Sequence, residues 1–521
     1  MNSSGNAERM PYLMGIDIGS TSIKAVIYDE TGNTISKGSR GTPLTHDDPA
    51  HPSWCVWEPE RLWDATADAI REAVCRLPDT GAIRGVAVTG FGMDGLPINK
   101  VGNALYPMIS WHCPRTEGQA SRFSNCMGRD EIFRLTGKQA MHIDSIYRMM
   151  WIKENHPAIM EKTDKWLLAE DYINHMLCGS KTIDYSMACT TSVFDPETCK
   201  WVDRLITAAD IPLHIFPECV QSGTPIGTVT EAASRKTSLK KGTPVIQGGH
   251  DYICAALAVG CITPQNVLNV TGTWEMAVQT VTKVQKSRAI FDSGCYIESH
   301  AARGKSCCVG SGVCADMLEW FKGQFAFEEQ MTGQETGVWE RLMEKAAAGD
   351  SNGCFFLPHF SGAYAPVADS RSLGAFIGLS NDVTRGGMIR AMVEGLNYQF
   401  RGILEALEAA SGIRADKILG VGGAARNAFW MQNKADVTGR TIKIPDVYEA
   451  TPLGAALLAG IGTHVYKDEK DAVSSTCRPG RTYTPDKTMH ERYSEHYQAI
   501  YKNIQGSLAG LNHAIYERFK T

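Results

Sequence analysis

Two short segments about 250 residues apart are built to one plan, and a chain that repeats such a plan is constrained to two similar halves. The first opens with Tyr12-Leu13-Met14-Gly15-Ile16-Asp17-Ile18-Gly19, whose alternating apolar residues predict a strand. Ser20-Thr21-Ser22 is a tight turn, and Ile23 to Tyr28 is a second strand. Thr31-Gly32-Asn33 turns again into a third strand, Thr34 to Gly38, giving an antiparallel meander. The second segment runs from the strand Asn266 to Val270 through Thr271-Gly272-Thr273 into the strand Trp274 to Thr280.

The intervals between these hairpins also have a readable period. Trp57 to Leu77 carries apolar residues at Leu62, Ala65, Ala69, Ile70 and Val74, the spacing of an amphipathic helix. Ile83 to Thr89 reads as a buried strand, and Glu131 to Met176 as mostly helical. Ile246 to Gly248 is a short strand before a helix from Tyr252 to Val259. The second half continues with a helix from Met388 to Ala410, a strand from Lys417 to Val421 and a helix from Asn427 to Thr438. A strand from Thr441 to Pro445 and a helix from Leu453 to Leu458 follow. The tail from His490 to Phe519 reads as a surface helix. Strands alternating with helices indicate a layered α/β architecture in each half.

Composition narrows the function classes. The 521 residues are 43% hydrophobic and 21% charged, which excludes a disordered chain, a collagen-like chain and a coiled-coil rod. The net charge of −5 leaves nucleic acid only a local patch, and the densest basic stretch, Arg235-Lys236 to Lys240-Lys241, reads as a solvated face. No nucleic-acid partner is expected. No window of about 18 apolar residues appears, so no membrane span is expected either. Met1 to Met10 is polar and reads as a disordered lead-in. The 16 cysteines are scattered without a Cys-x-x-Cys pair, which suits reduced thiols in a cytoplasmic protein.

Five motifs can carry chemistry. In Asp17-x-Gly19-Ser20-Thr21, glycine lets backbone approach a phosphate, and hydroxyls and amides donate to its oxygens. A carboxylate beside such a turn calls for a cation between, a role that suits Mg²⁺. The other reading is an ordinary hairpin with a capping Asp. Gly272 and Thr273 make a similar turn, so two hairpins could grip phosphates from both sides of a cleft. Asp251, after Gly248-Gly249-His250, stands at a strand end, where a general base for a substrate hydroxyl could sit; a helix N-cap is the alternative. Gly420-Val421-Gly422-Gly423-Ala424-Ala425 matches the dinucleotide pattern G-x-G-x-x-A, with Asp446 at the next strand end, and is a rival signal for a nicotinamide or flavin enzyme. Gly304-Lys305-Ser306 ends like a P-loop, but Ser299 stands where its first glycine is needed. Met93, Asp94 and Trp111 follow the strand Ile83 to Thr89. Trp faces suit sugar C–H surfaces and Asp94 could accept sugar hydroxyls; core packing and a turn Asp are the bland alternatives.

Taken together, these stretches resemble the FGGY family of carbohydrate kinases, over about Tyr12 to Gly462. The resemblance also rests on Asp171-Tyr172, Thr182-Ile183-Asp184-Tyr185-Ser186, Thr271-Gly272-Thr273-Trp274 and Gly374 to Leu379. It implies an α/β, two-domain actin/Hsp70/hexokinase-like (ribonuclease H-like) ATPase fold with duplicated domains. The division expected is a lead-in over 1–10, an N-terminal domain over 11–260 and a C-terminal domain over 261–521. It implies ATP and Mg²⁺, with a small-molecule sugar as the other substrate, and leaves a homodimer open. By resemblance, Asp17 matches the acid near Mg²⁺, and Ser20, Thr21 and Lys24 match the first phosphate hairpin. Gly272 and Thr273 match the second, and Gly423, Ala424 and Asn427 the adenosine contacts. Asp251 matches the catalytic base, and Met93, Asp94 and Trp111 the sugar side. Within the family the stretches Val88 to Gly95, Tyr106 to Thr116 and Trp151 to Pro157 are most similar to the L-fuculokinase branch. That implies a primary hydroxyl of a small ketose, L-fuculose first, with D-ribulose, xylulose and L-rhamnulose as alternatives. Two positions depart from the family pattern. Cys113 stands where many members have Asp in Trp-x-Asp-x-Arg, and Gly386-Gly387 stands where the second signature usually has a polar residue. An actin- or Hsp70-like ATPase without a sugar substrate is the remote alternative.

Overall fold

The structure is a computed structural model describing residues 11–272, 274–326 and 337–519. The lead-in Met1 to Met10 and the hairpin residue Thr273 therefore lie outside the described residues. Two large sheets organise the chain. In the first, the meander Tyr12–Ile18, Ser22–Asp29 and Thr34–Gly41 forms one side. Tyr12–Ile18 pairs in parallel with Ile83–Gly90, which pairs in parallel with Pro244–His250, and Pro225–Thr228 closes the edge antiparallel. The second sheet repeats this order. Ser306–Val313, Trp274–Val281 and Asn266–Thr271 run antiparallel; Lys417–Val421 and Thr441–Ile444 follow in parallel; Arg481–Tyr483 closes antiparallel. One extra strand, Tyr296–Ser299, is added at the far edge. The two hairpins thus occupy equivalent places in two equivalent sheets.

A pair of helices joins the sheets. Asp251–Ala258 follows the strand Pro244–His250, and Ala450–Gly462 follows Thr441–Ile444. Both are almost wholly apolar and small, so both are buried on nearly every side. Their core takes Leu13, Ala87 and Ile246 from the first sheet and Leu268, Val278 and Leu419 from the second. Close approach depends on missing side chains. A Cβ at Gly15 would lie 1.7 Å from the Pro452 carbonyl oxygen, and one at Gly454 would lie 1.9 Å from that of Cys254. Gly15→Ala is expected to lower stability by about 1–3 kcal/mol, because backbone rather than a flexible side chain must move. A denaturant midpoint equal to the wild type would contradict this packing.

Three local expectations change. The first long helix is Pro59–Val74, not Trp57 to Leu77, because Pro59 sets its first turn and Trp57 ends a short strand, Cys55–Trp57. The stretch Glu131 to Met176 is mostly helical, interrupted by the loop 137–144 and the strand Lys165–Leu168. The tail is not one surface helix: Lys487–His496 passes through a π-helical turn at Tyr497–Tyr501 into Lys502–Phe519. Tyr493, Tyr497 and Tyr501, spaced by four, bury their rings with Tyr398. Gly386 and Gly387 open the helix Arg385–Ser411, where a Cβ at Gly387 would lie 2.4 Å from the Asp350 carbonyl oxygen. The basic stretch is solvated and paired, with Arg235 and Lys241 on Glu231 and Lys236 on Asp64. None of the 16 cysteines is in a disulfide. No helix among the described residues is long and apolar enough to cross a membrane.

Candidate active site

A cleft of about 1120 Å³ opens between the two sheets, with both hairpins on its wall. Asp17 lies on the first strand, opposite Lys24 across the hairpin and beside Thr89. Its carboxyl is 9% exposed. Burial, and then the charge of Asp251, push its pKa up to about 8, against the pull of Lys24. Lys24 is held by Glu449, at 2.8 Å, a cleft residue that the sequence reading passed over. Ser20 lines the cleft, whereas Thr21 is exposed and stands off its wall. Asp17, Asp251 and Glu449 thus share one cleft end with Lys24, so oxygen donors of negative charge outnumber the cations there. That excess fits a hard divalent cation such as Mg²⁺, and Asp17 is placed to hold it.

On the facing wall, Gly272 ends the second hairpin's first strand, and a Cβ there would meet nothing within 4 Å. The same holds at Gly423. Neither glycine is needed for packing, so both leave bare backbone toward whatever fills the cleft. Gly422 differs: its φ of +99° and a Cβ position 2.4 Å from the Thr271 carbonyl oxygen demand glycine. Ala424 packs into the core of its own half, and Asn427 caps the helix Ala428–Thr438 by accepting the Trp430 N–H at 2.9 Å. Neither is among the residues that line the cleft. Arg426 and Asp446 occupy the wall instead.

Beneath the second hairpin lies an ion pair that the sequence did not announce. The Lys434 ammonium donates to Glu275 at 2.6 Å, Asn269 at 2.9 Å and Thr271 at 3.1 Å. Both Lys434 and Glu275 are inaccessible to solvent. The pair ties the helix Ala428–Thr438 to both strands of the hairpin.

Met93 and Trp111 also line the cleft. Met93 has a φ of +73°, and its N–H is held by Thr190 at 2.9 Å. The Trp111 ring stacks on His112 at 3.7 Å. Asp94 is a correction. It is wholly buried, with Oδ1 on Arg148 at 2.9 Å and Oδ2 taking the Trp57 indole N–H at 2.7 Å and the Trp111 backbone N–H at 2.9 Å. Burial outweighs Arg148 and pushes its pKa up to about 6. With both oxygens committed, Asp94 positions Trp111 and has no oxygen facing the cleft. Cys113 is also buried, its sulfur taking a hydrogen bond from Arg115 at 2.9 Å, so this departure from the family pattern does not face the cleft.

Asp251 lies on the cleft floor as the first residue of its helix; the N-cap position is His250. Its side chain is 36% exposed, and Oδ1 accepts the Tyr252 N–H at 2.5 Å. Burial raises its pKa and the adjacent His250 opposes this. A Cβ at Gly248 would lie 1.7 Å from the Val88 carbonyl oxygen, so the glycine pair lets this strand cross close to Ile83–Gly90 just before Asp251. Among the described residues no cluster of His, Cys, Asp and Glu forms a protein-only metal cage.

Comparison with known proteins agrees with this geometry. Residues 12–258 match the N-terminal domain of the FGGY family of carbohydrate kinases, and residues 267–463 match its C-terminal domain. The chain is 31% identical over 470 residues to L-fuculokinase of Escherichia coli (strain K12), covering 88% of this chain and 94% of that protein. It is 28% identical over 508 residues to a xylulose kinase of Staphylococcus epidermidis, covering 96% and 98%. In fold it is similar to the xylulose kinase of Rhodospirillum rubrum, with a TM-score of 0.85, 24% identity and coverage of 96% and 100%. It is also similar to Plasmodium falciparum glycerol kinase with ADP, with a TM-score of 0.83, 20% identity and coverage of 95% and 98%. The repeated sheets are those of the two-domain actin/hexokinase-like fold, and with both family domains matched, the chain belongs to the FGGY family of carbohydrate kinases and is a sugar kinase.

Proposed function

We propose that this kinase transfers the γ-phosphoryl group of ATP to a primary hydroxyl of a small ketose, with L-fuculose as substrate and L-fuculose 1-phosphate as product. The observation that carries the reading is that a single cleft is lined by Asp251, by Met93 and Trp111, and by residues of both hairpins. The similarity to L-fuculokinase over 88% of the chain supports the choice of sugar. A division at about residue 260 follows the two sheets, and the cleft lies along it.

In this mechanism the sugar rests against Trp111 and Met93 and the nucleotide against Gly272, Gly422 and Gly423. Backbone amides of both hairpins, with Ser20, face the phosphates, and Lys24 adds positive charge. Asp17 would hold Mg²⁺, which when bound would supply charge neutralisation for the transferring phosphoryl group. Asp251 orients the ketose hydroxyl. As the new O–P bond forms and the bond to ADP breaks, the hydroxyl proton passes to its carboxylate. An ordinary carboxylate, with a pKa of about 4, cannot ionise an alcohol beforehand, so transfer accompanies bond formation. Closure of the two halves over sugar and nucleotide excludes water, which otherwise competes as acceptor.

The test is ADP release with Mg-ATP across L-fuculose, L-rhamnulose, D-ribulose, D-xylulose, L-xylulose and glycerol. L-fuculose is expected to give the highest kcat/KM, by about tenfold or more. A higher value for a xylulose would overturn the sugar assignment and keep the kinase.

A further inference from the structure

Beside Asp251 runs a chain of buried charges that the mechanism above does not use. Glu298, on the edge strand Tyr296–Ser299 of the second sheet, is fully buried. Lys138, from the first half of the chain, is 1% exposed, and its ammonium lies 3.0 Å from Glu298 Oε1. The Tyr252 hydroxyl donates to Glu298 Oε2, and His250 Nδ1 lies 3.2 Å from the same oxygen. The other ring nitrogen, His250 Nε2, lies 3.7 Å from Asp251 Oδ1. A neutral imidazole has one N–H, which the Glu298 hydrogen bond takes at Nδ1; the 3.7 Å contact with Asp251 is an ion pair, and it is attractive only if Nε2 is protonated as well.

We infer that Glu298 is a positioning residue for the phosphoryl transfer: reaching from the second half of the chain, it holds His250 doubly protonated and thereby keeps a cation against Asp251. This inference rests on the reading of Asp251 as the base.

The surroundings agree. Lys138 offsets the charge of Glu298, which leaves His250 to offset that of Asp251. His250 is also faced by Tyr252 from its own helix and by Asp184, which caps the helix Tyr185–Cys189. Tyr296 and Asp144 lie around Lys138. Burial opposes charge on both partners. Even so, Lys138 and then His250 hold Glu298 down to about 2, and Glu298 and Asp251 hold His250 above the usual imidazole range. The ring has little room to turn. Its backbone N–H is fixed on Ser186 at 2.9 Å, and a Cβ at Gly92 would lie 2.9 Å from Nε2. Lys138, His250 and Asp251 come from the first half and Glu298 from the second, so the charge on His250 depends on a carboxylate that the second half supplies.

The test is nitrogen NMR of the full-length kinase labelled with ¹⁵N-histidine, with His250 assigned by the signal lost in His250→Gln. At about pH 7.5 both ring nitrogens are expected to carry protons, although an ordinary histidine, with a pKa of about 6.5, is mostly neutral there. In Glu298→Gln the ring is expected to become neutral. kcat is expected to fall about tenfold or more, with the KM values for ATP and ketose within about twofold, and Glu298→Asp is expected to restore part of kcat. A neutral His250 in the wild type, or a wild-type kcat in Glu298→Gln, would overturn the inference. If Glu298→Gln does not fold, the wild-type spectrum decides alone. Full turnover in Asp251→Asn would instead defeat the base reading and, with it, the catalytic meaning of the contact, while a charged His250 would still stand as a structural fact.

Discussion

Asp251→Asn is expected to lower kcat about 10²–10⁴-fold while leaving nucleotide affinity within about twofold. The substitution keeps the shape of the side chain and its acceptor oxygen for the Tyr252 N–H, so the helix Asp251–Ala258 keeps its first turn. What is lost is the carboxylate proposed to take the hydroxyl proton. Gly272, Gly422 and Gly423, where the nucleotide is proposed to rest, follow strands of the other sheet and are untouched. Steady-state kinetics with calorimetric ADP binding read the two effects separately. Equal losses in turnover and ADP affinity would place Asp251 in nucleotide binding rather than in proton transfer.

Lys434→Met carries the largest expected loss of stability. It removes the only cation bonded to Glu275 among the described residues and leaves that carboxylate buried without it. Breaking one partner of a buried pair costs about 3–5 kcal/mol, whereas replacing both by neutral groups is far milder. The single variant should therefore unfold at a much lower denaturant concentration, and Lys434→Met combined with Glu275→Gln should regain most of the difference. Because the same ammonium also binds Asn269 and Thr271, the folded fraction of the single variant should bind ATP more weakly through a loosened second hairpin. A single variant as stable as the wild type would show that the pair does not hold this hairpin.

What could be read from sequence follows the range of the interactions. Each hairpin is made by neighbouring residues, so Asp17, Ser20 and Gly272 could be picked out from alternation and turn chemistry alone. Asp251 could be picked out because its strand end and helix start adjoin in sequence. The role of Asp94 could not, because Trp57 and Arg148, which occupy its oxygens, are 37 and 54 positions away. The Lys434 and Glu275 pair spans 159 positions, and the Lys138 and Glu298 pair 160. A buried lysine gives little local sign, since the helix Ala428–Thr438 buries polar and apolar residues alike. The tail did carry a local sign: tyrosines spaced by four at 493, 497 and 501 mark a buried helical stripe.

The most direct test of the account is ³¹P NMR of the product formed from Mg-ATP and L-fuculose. A sugar phosphomonoester whose phosphorus couples to the two protons of C1 is expected, formed in step with ADP and about 10²–10⁴-fold more slowly with Asp251→Asn. Inorganic phosphate formed in step with ADP, or an ester on a secondary hydroxyl, would contradict it.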